Sequence, residues 1–151
     1  MVTKALNSLK KPFDFLEHVA DIYVASYGRD LKEAFENAAL AMFEVMTDTS
    51  RVSQDLEESV EVKGDDEKAL LYNWLEELIF KFETKGILFS RFKVTEITRS
   101  DDGYKLSARA WGEVFNPEKH IQKVGVKSIT YHMMDIKMER KLVTVKFLLD
   151  V

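Results

Sequence analysis

Leu56-Glu57-Glu58-Ser59-Val60-Glu61-Val62-Lys63-Gly64-Asp65-Asp66, followed by apolar side chains at Leu70, Leu71, Trp74, Leu75, Leu78, Ile79 and Phe82, decides the fold. In the first half Leu56, Val60 and Val62 alternate with Glu57, Ser59 and Glu61, the period of a half-buried strand. Gly64-Asp65-Asp66 ends that strand and starts a helix. The helix carries a wide apolar stripe, so it should lie flat on a sheet, with Glu67, Lys68, Asn73, Glu76, Glu77 and Lys81 mostly on its exposed side.

Upstream, Asp21 to Tyr27 reads as a strand broken by Gly28. Asp30 is placed to cap a second helix, with Glu33 at the third helical position as in a capping box. Leu31, Ala34, Phe35, Ala38, Ala39, Met42, Val45 and Met46 form one stripe along that helix, which should stop near Thr47-Asp48-Thr49-Ser50. Downstream of Gly86 the period is two almost to the end. Phe89 to Thr98 is a strand, Asp101-Asp102-Gly103 a hairpin turn, and Tyr104, Leu106, Ala108 and Ala110 alternate in the return strand. Residues 113–127 are less regular, with a short helical turn expected at Asn116-Pro117-Glu118. Ser128 to Met138 and Leu142 to Leu149 form the last two strands, joined at Glu139-Arg140-Lys141. Two amphipathic helices among antiparallel strands predict an α+β two-layer sandwich, both helices packed on one face of a mostly antiparallel sheet. The chain shows no internal repeat and no interior linker. Residues 1–12 read as a loose, lysine-rich arm and residues 13–151 as a single domain.

The composition narrows the function. The chain has 151 residues, 46% hydrophobic and 32% charged, with 22 Lys+Arg against 26 Asp+Glu and a formal net charge of -4. That balance argues against strong direct nucleic-acid binding, which needs a basic excess on one face. No apolar run approaches a membrane span, and Met1-Val-Thr-Lys-Ala-Leu lacks the core of a signal peptide. A cytoplasmic, monomeric protein without membrane attachment is expected. Cysteine is absent, which excludes disulfides, thiolate metal sites and cysteine nucleophiles. GxGxxG, GxxxxGK[ST], GxSxG and HExxH are absent as well.

Three places could carry chemistry. Glu17, His18 and Asp21 crowd possible oxygen and nitrogen ligands into five residues just before a strand. At the other end, Val143, Val145, Phe147 and Leu149 should face the core, which sends Asp150 to the opposite face with the terminal carboxylate of Val151 one residue on. Two adjacent carboxylates on an ordered strand end repel unless a cation or a lysine sits between them; otherwise the tail frays and both are solvated. Lys127, at the start of a strand, could hold a phosphate or a carboxylate cluster, or stand solvated. His120 and His132 read as surface or hydrogen-bonded structural residues.

Several segments resemble the archease family. Phe15-Leu16-Glu17-His18-Val19-Ala20-Asp21-Ile22 is similar to its (F)xEHTAD(I/V) opening, with Val19 where Thr is usual. Leu31 to Ala39 resembles its first helix, Leu70-Leu71-Tyr72-Asn73-Trp74-Leu75-Glu76-Glu77-Leu78 its second, and Val126-Lys127-Ser128-Ile129-Thr130-Tyr131-His132 its VKAxTYH segment, with Ser128 where Ala is usual. Phe147 to Val151 matches the family's end. The resemblance spans residues 13 to 151 in order. It implies a non-catalytic accessory protein of the RtcB-type tRNA-splicing RNA ligase, which promotes the ligase's guanylylation and restores it for further turnovers. It also implies a metal site on Asp21, Asp150 and the Val151 carboxylate, with His18 and Lys127 in the same patch and no catalytic residues. A hard divalent cation, Ca²⁺ or Mg²⁺, suits such oxygen ligands. A chaperone role toward a tRNA methyltransferase is a further implication. Two other readings are a metal-dependent phosphohydrolase using His18, Asp21 and Asp150, and a general RNA-binding chaperone, which the net charge disfavours.

Overall fold

The structure is a computed structural model that describes residues 11–16 and 21–151. The elements run β1 (Phe13–Leu16), β2 (Ile22–Gly28), α1 (Leu31–Met46), a single 3₁₀ turn (Thr49–Arg51), β3 (Leu56–Gly64), α2 (Glu67–Lys85), β4 (Ile87–Ser100), β5 (Gly103–Val114), β6 (Ser128–Glu139) and β7 (Leu142–Asp150). The molecule is α+β, with two helices and antiparallel strands. The strands divide into two sheets, ordered β1-β2-β7-β6 and β3-β5-β4. The short β1, which pairs with β2, has too few residues to show a period and has no counterpart in the sequence reading.

Local chemistry sets the helix ends. Asp30 and Asp66 are the N-caps, and their side chains accept the amides of Glu33 and Ala69, each at 2.8 Å. Glu33 reaches back to the amide of Arg29, one residue before the cap, rather than closing a box on Asp30 itself. α2 ends at Gly86, whose φ of 69° is the left-handed conformation that glycine adopts freely. Gly103, at φ 111° in the β4–β5 turn, also has the Gly64 carbonyl 2.7 Å from where a Cβ would stand.

The two helices stand in equivalent places, which corrects the expectation of a chain without repeats. β2-α1-β6-β7 and β3-α2-β4-β5 are both strand–helix–strand–strand units, and in both the first strand pairs with the last. The second unit is inserted whole between α1 and β6 of the first. The correspondence reaches single residues. A Cβ on Gly28 would lie 2.3 Å from the amide nitrogen of Ala34, and one on Gly64 lies 2.4 Å from that of Leu70. The Asn37 amide donates to the Tyr27 carbonyl at 2.7 Å, and the Asn73 amide to the Lys63 carbonyl at 2.6 Å. Gly28, Asp30 and Asn37 thus recur as Gly64, Asp66 and Asn73. The repeat hides because few of the positions between these anchors match: Lys32 recurs as Lys68, and Ala34-Phe35 as the apolar pair Leu70-Leu71, while the rest differ.

Each helix packs on its own unit and across to the other: α1 lies against β2 and β4, α2 against β3 and β6. This explains why α1 is buried well beyond its expected stripe, with Ala41 and Phe43 fully buried as well. Phe43 meets Phe89 of β4 edge-on at 5.6 Å between ring centres. The crossing also seals two sheet edges. Glu36 of α1 accepts the amide of Val94 in β4 at 2.8 Å, and Glu76 of α2 accepts that of Ile129 in β6 at 2.9 Å. An edge strand otherwise exposes such amides to foreign chains. Glu76, expected on the mostly exposed side of the helix, therefore has a structural contact.

Candidate functional site

β2 and β7 run antiparallel, with Ile22 opposite Leu149. Asp21 immediately precedes Ile22, so the register, continued by one residue, leads from Asp21 to Asp150. On the other side of β7, Ser128 of β6 lies opposite Asp150, which places Lys127 beside Val151. The Lys127 amide donates to the Asp150 carbonyl at 2.8 Å. Val145, Phe147 and Leu149 are fully buried, as the alternation requires. Asp150 is half-buried, and Val151 packs against the core, so the end of β7 is ordered rather than frayed. The pairing thus gathers Asp21, Asp150, Val151 and Lys127 at one end of the four-stranded sheet. Directly opposed residues of an antiparallel pair have Cβ atoms about 4.5–5.5 Å apart, and like charges there destabilise the sheet. A cation between them relieves that repulsion, and carboxylate oxygens are the donors that Ca²⁺ and Mg²⁺ prefer.

Asp21 and Asp150 could supply two of the donors such an ion needs. Among the described residues no group of three His, Cys, Asp or Glu side chains is close enough to hold one. His18 and Glu17 lie outside the described residues.

Beside these ends, β6 departs from regular pairing. Thr130 faces Leu148 and Asp135 faces Lys146, so four residues on β6 span the single Phe147 on β7. Met133 within this bulge has φ 61°, a left-handed conformation that costs a branched or bulky side chain energy. The hydroxyl of Tyr23, two residues after Asp21, donates to the Met133 carbonyl at 2.8 Å. Partial burial and the nearby Asp135 charge raise the Tyr23 hydroxyl above its ordinary pKa, which keeps it a donor. Tyr131 stacks on Tyr72 of α2, with ring centres 4.4 Å apart and planes within 5°. None of this was visible to sequence reasoning beyond the VKSITYH motif, because a bulge leaves only a slip in alternation.

The other histidines are placed differently. His120 is buried and bonded at both ring nitrogens: Nδ1 accepts the amide of Asn116 at 2.9 Å, and Nε2 meets Glu113 at 2.7 Å. It is the hydrogen-bonded structural residue expected. The expected turn at Asn116 forms around it, with the amides of Lys119 and His120 on the Asn116 carbonyl. The Lys119 ammonium, partly offset by burial, holds the Glu113 carboxyl down at about 2, helped by the Ser53 amide and His120. His132 is exposed, and its amide bonds to Thr130 Oγ1 at 3.0 Å.

The fold and this site define a class: an α+β domain of two nested strand–helix–strand–strand units, in which the strands that open and close the outer unit bring carboxylates and a lysine together. The chain belongs to the archease protein family, whose family model matches residues 13–151. Protein archease of Methanothermobacter thermautotrophicus is 49% identical over 140 residues, covering 93% of this chain and 99% of that protein. Protein archease of Sulfolobus acidocaldarius is 43% identical over 139 residues, covering 92% and 98%. The solution structure of Methanobacterium thermoautotrophicum protein 1598 superposes with a TM-score of 0.81 at 48% identity, over 93% of this chain and 99% of that one. A Thermotoga maritima crystal structure, described as an archease and possible chaperone, shares the fold at a TM-score of 0.57 and 19% identity, covering 91% and 96%. No helix among the described residues is long and apolar enough to cross a membrane.

Proposed function

We propose that this protein is a non-catalytic, cytoplasmic accessory protein of an RtcB-type tRNA-splicing RNA ligase, promoting the ligase's guanylylation and its multiple turnover. The observation that carries the reading is the strand register, Ile22 opposite Leu149 and Ser128 opposite Asp150, which makes Asp21, Asp150, Val151 and Lys127 neighbours. Asp21, Asp150 and the Val151 carboxylate hold one Ca²⁺ or Mg²⁺, with His18 and Lys127 in the same patch. When bound, the cation supplies positive charge that lets an acidic end approach phosphates. Lys127 adds to that attraction from the start of β6. The patch docks at the ligase's nucleotide pocket and speeds nucleotide transfer without entering the chemistry. The test is ligation of broken tRNA by the ligase at substrate excess, with and without this protein. A clear gain in turnovers per ligase supports the reading, and an unchanged yield overturns it.

A second reading, chaperone action toward a tRNA methyltransferase, draws on the description of the Thermotoga maritima protein as a possible chaperone. It predicts a higher yield of soluble methyltransferase on refolding in the presence of this protein.

A further inference from the structure

Resting on the accessory-protein reading above, we infer that the β6 bulge is the protein's docking surface for the ligase, with Tyr131 and Met133 as anchors that seat in an apolar recess bordered by basic groups. Of the four residues that span Phe147, Met134 turns inward and is buried, while Tyr131, His132 and Met133 turn outward. Tyr131 is 53% exposed and Met133 43% exposed. A large apolar side chain held in the left-handed region is neither backbone relief nor core packing; glycine would serve the backbone better. The neighbouring structure nonetheless enforces it, through the Tyr23 hydroxyl on the Met133 carbonyl and the Thr130 hydroxyl on the His132 amide.

The stack on Tyr72 fixes the ring of Tyr131 before any partner arrives, so little rotamer freedom remains to be lost on binding. Aromatic and methionine side chains are the types enriched in the centres of protein interfaces. The charges around them set the chemistry of the partner. Asp65 and Asp66 stand in the turn that opens α2, the helix whose Tyr72 carries the stack, and Asp135 follows the bulge, opposite Lys146 of β7. A partner that meets this surface needs apolar depth in the middle and positive charge at the rim. Tyr23 links this surface to the carboxylate end, since its hydroxyl meets the Met133 carbonyl and it lies two residues along from Asp21. A partner engaged at one reaches the other.

The experiment is titration of purified ligase with the full chain and with Tyr131→Phe, Tyr131→Ser and Met133→Gly, together with thermal melts of each. Met133→Gly removes the side chain and relieves the backbone, so its melting temperature should hold or rise while ligase binding weakens at least about tenfold. Tyr131→Phe should bind like the parent, and Tyr131→Ser should lose binding while remaining folded. If the parent binds and Met133→Gly and Tyr131→Ser bind equally well, the docking surface is wrong and the accessory function stands. If the parent does not bind the ligase, both fall together.

Discussion

At the scale of single residues, the carboxylates of this protein do three different jobs. Glu36 and Glu76 cap amides at sheet edges, Glu113 is pinned by Lys119, and Asp21 and Asp150 are brought together at a strand end. Glu113 yields a pH test. Its folded value of about 2 lies below its ordinary 4.5, so the stabilisation is fully present above 4.5 and is lost as pH falls from there toward 2. Urea unfolding of the parent and Glu113→Gln should show the parent more stable at pH 6, with the gap narrowed at pH 3 and closed only near pH 2. A gap that stays constant would mean the carboxylate's charge is not what stabilises the loop. For Asp150 and Lys127, the proposed function predicts that Asp150→Ala and Lys127→Ala keep the parent's metal-free melting temperature to within a few degrees yet return multiple-turnover ligation to near its unassisted rate. Exposed Glu83→Lys on α2 serves as the neutral control. Glu76 cannot serve, because reversing its charge would orphan the Ile129 amide beside the patch. Asp21, Asp150 and Lys127 were legible as candidates because charged groups stood next to apolar strand residues. The Glu76 contact was not, because a helix's periodicity says which side is polar and not what stands opposite it.

Among the elements, both helices, the Asp-Gly hairpin and the long strands follow from the spacing of apolar residues, and their ends fall within a few residues of where the pattern stops. β1 and the β6 bulge do not follow, since four residues are too few for a period and a bulge breaks one. The repeated strand-to-helix joint was missed because it consists of three spaced residues. Its physical demand is nonetheless strict, for Gly28 and Gly64 both bring strand backbone onto the first turn of a helix. Gly28→Ala and Gly64→Ala should each cost roughly 1–3 kcal/mol, since the atoms met are backbone and cannot rotate away. Gly125 has open space around it and no positive φ, so Gly125→Ala should change stability by less than about 0.5 kcal/mol. Denaturant midpoints of the three variants decide the matter. Near-neutral values at Gly28 and Gly64 would show that the joint opens without penalty and that its recurrence has no structural cause.

For the whole molecule, the α+β class was legible, because two amphipathic helices must bury their stripes against strands. The nesting was not, because it depends on which strands pair, and period-two patterns are alike in every strand. Nesting has a mechanical consequence. β2, near the beginning, and β7, at the end, are hydrogen-bonded neighbours, and the second unit is held between them in sequence. Any ligand shared by Asp21 and Asp150 therefore ties together the first and last full strands of the outer unit. A cation that binds only the folded chain stabilises it by about 2.7 kcal/mol at a hundredfold excess over its dissociation constant. For a domain of this size that corresponds to a rise in melting temperature of roughly 5–10 °C. Thermal unfolding with Ca²⁺ or Mg²⁺ should show this rise in the parent and in Glu83→Lys, and should lose it in Asp21→Ala and in Asp150→Ala. The metal-free variants should melt within a few degrees of the metal-free parent. Equal rises in all four proteins would place the cation elsewhere, and no rise in any would remove it from the proposed site.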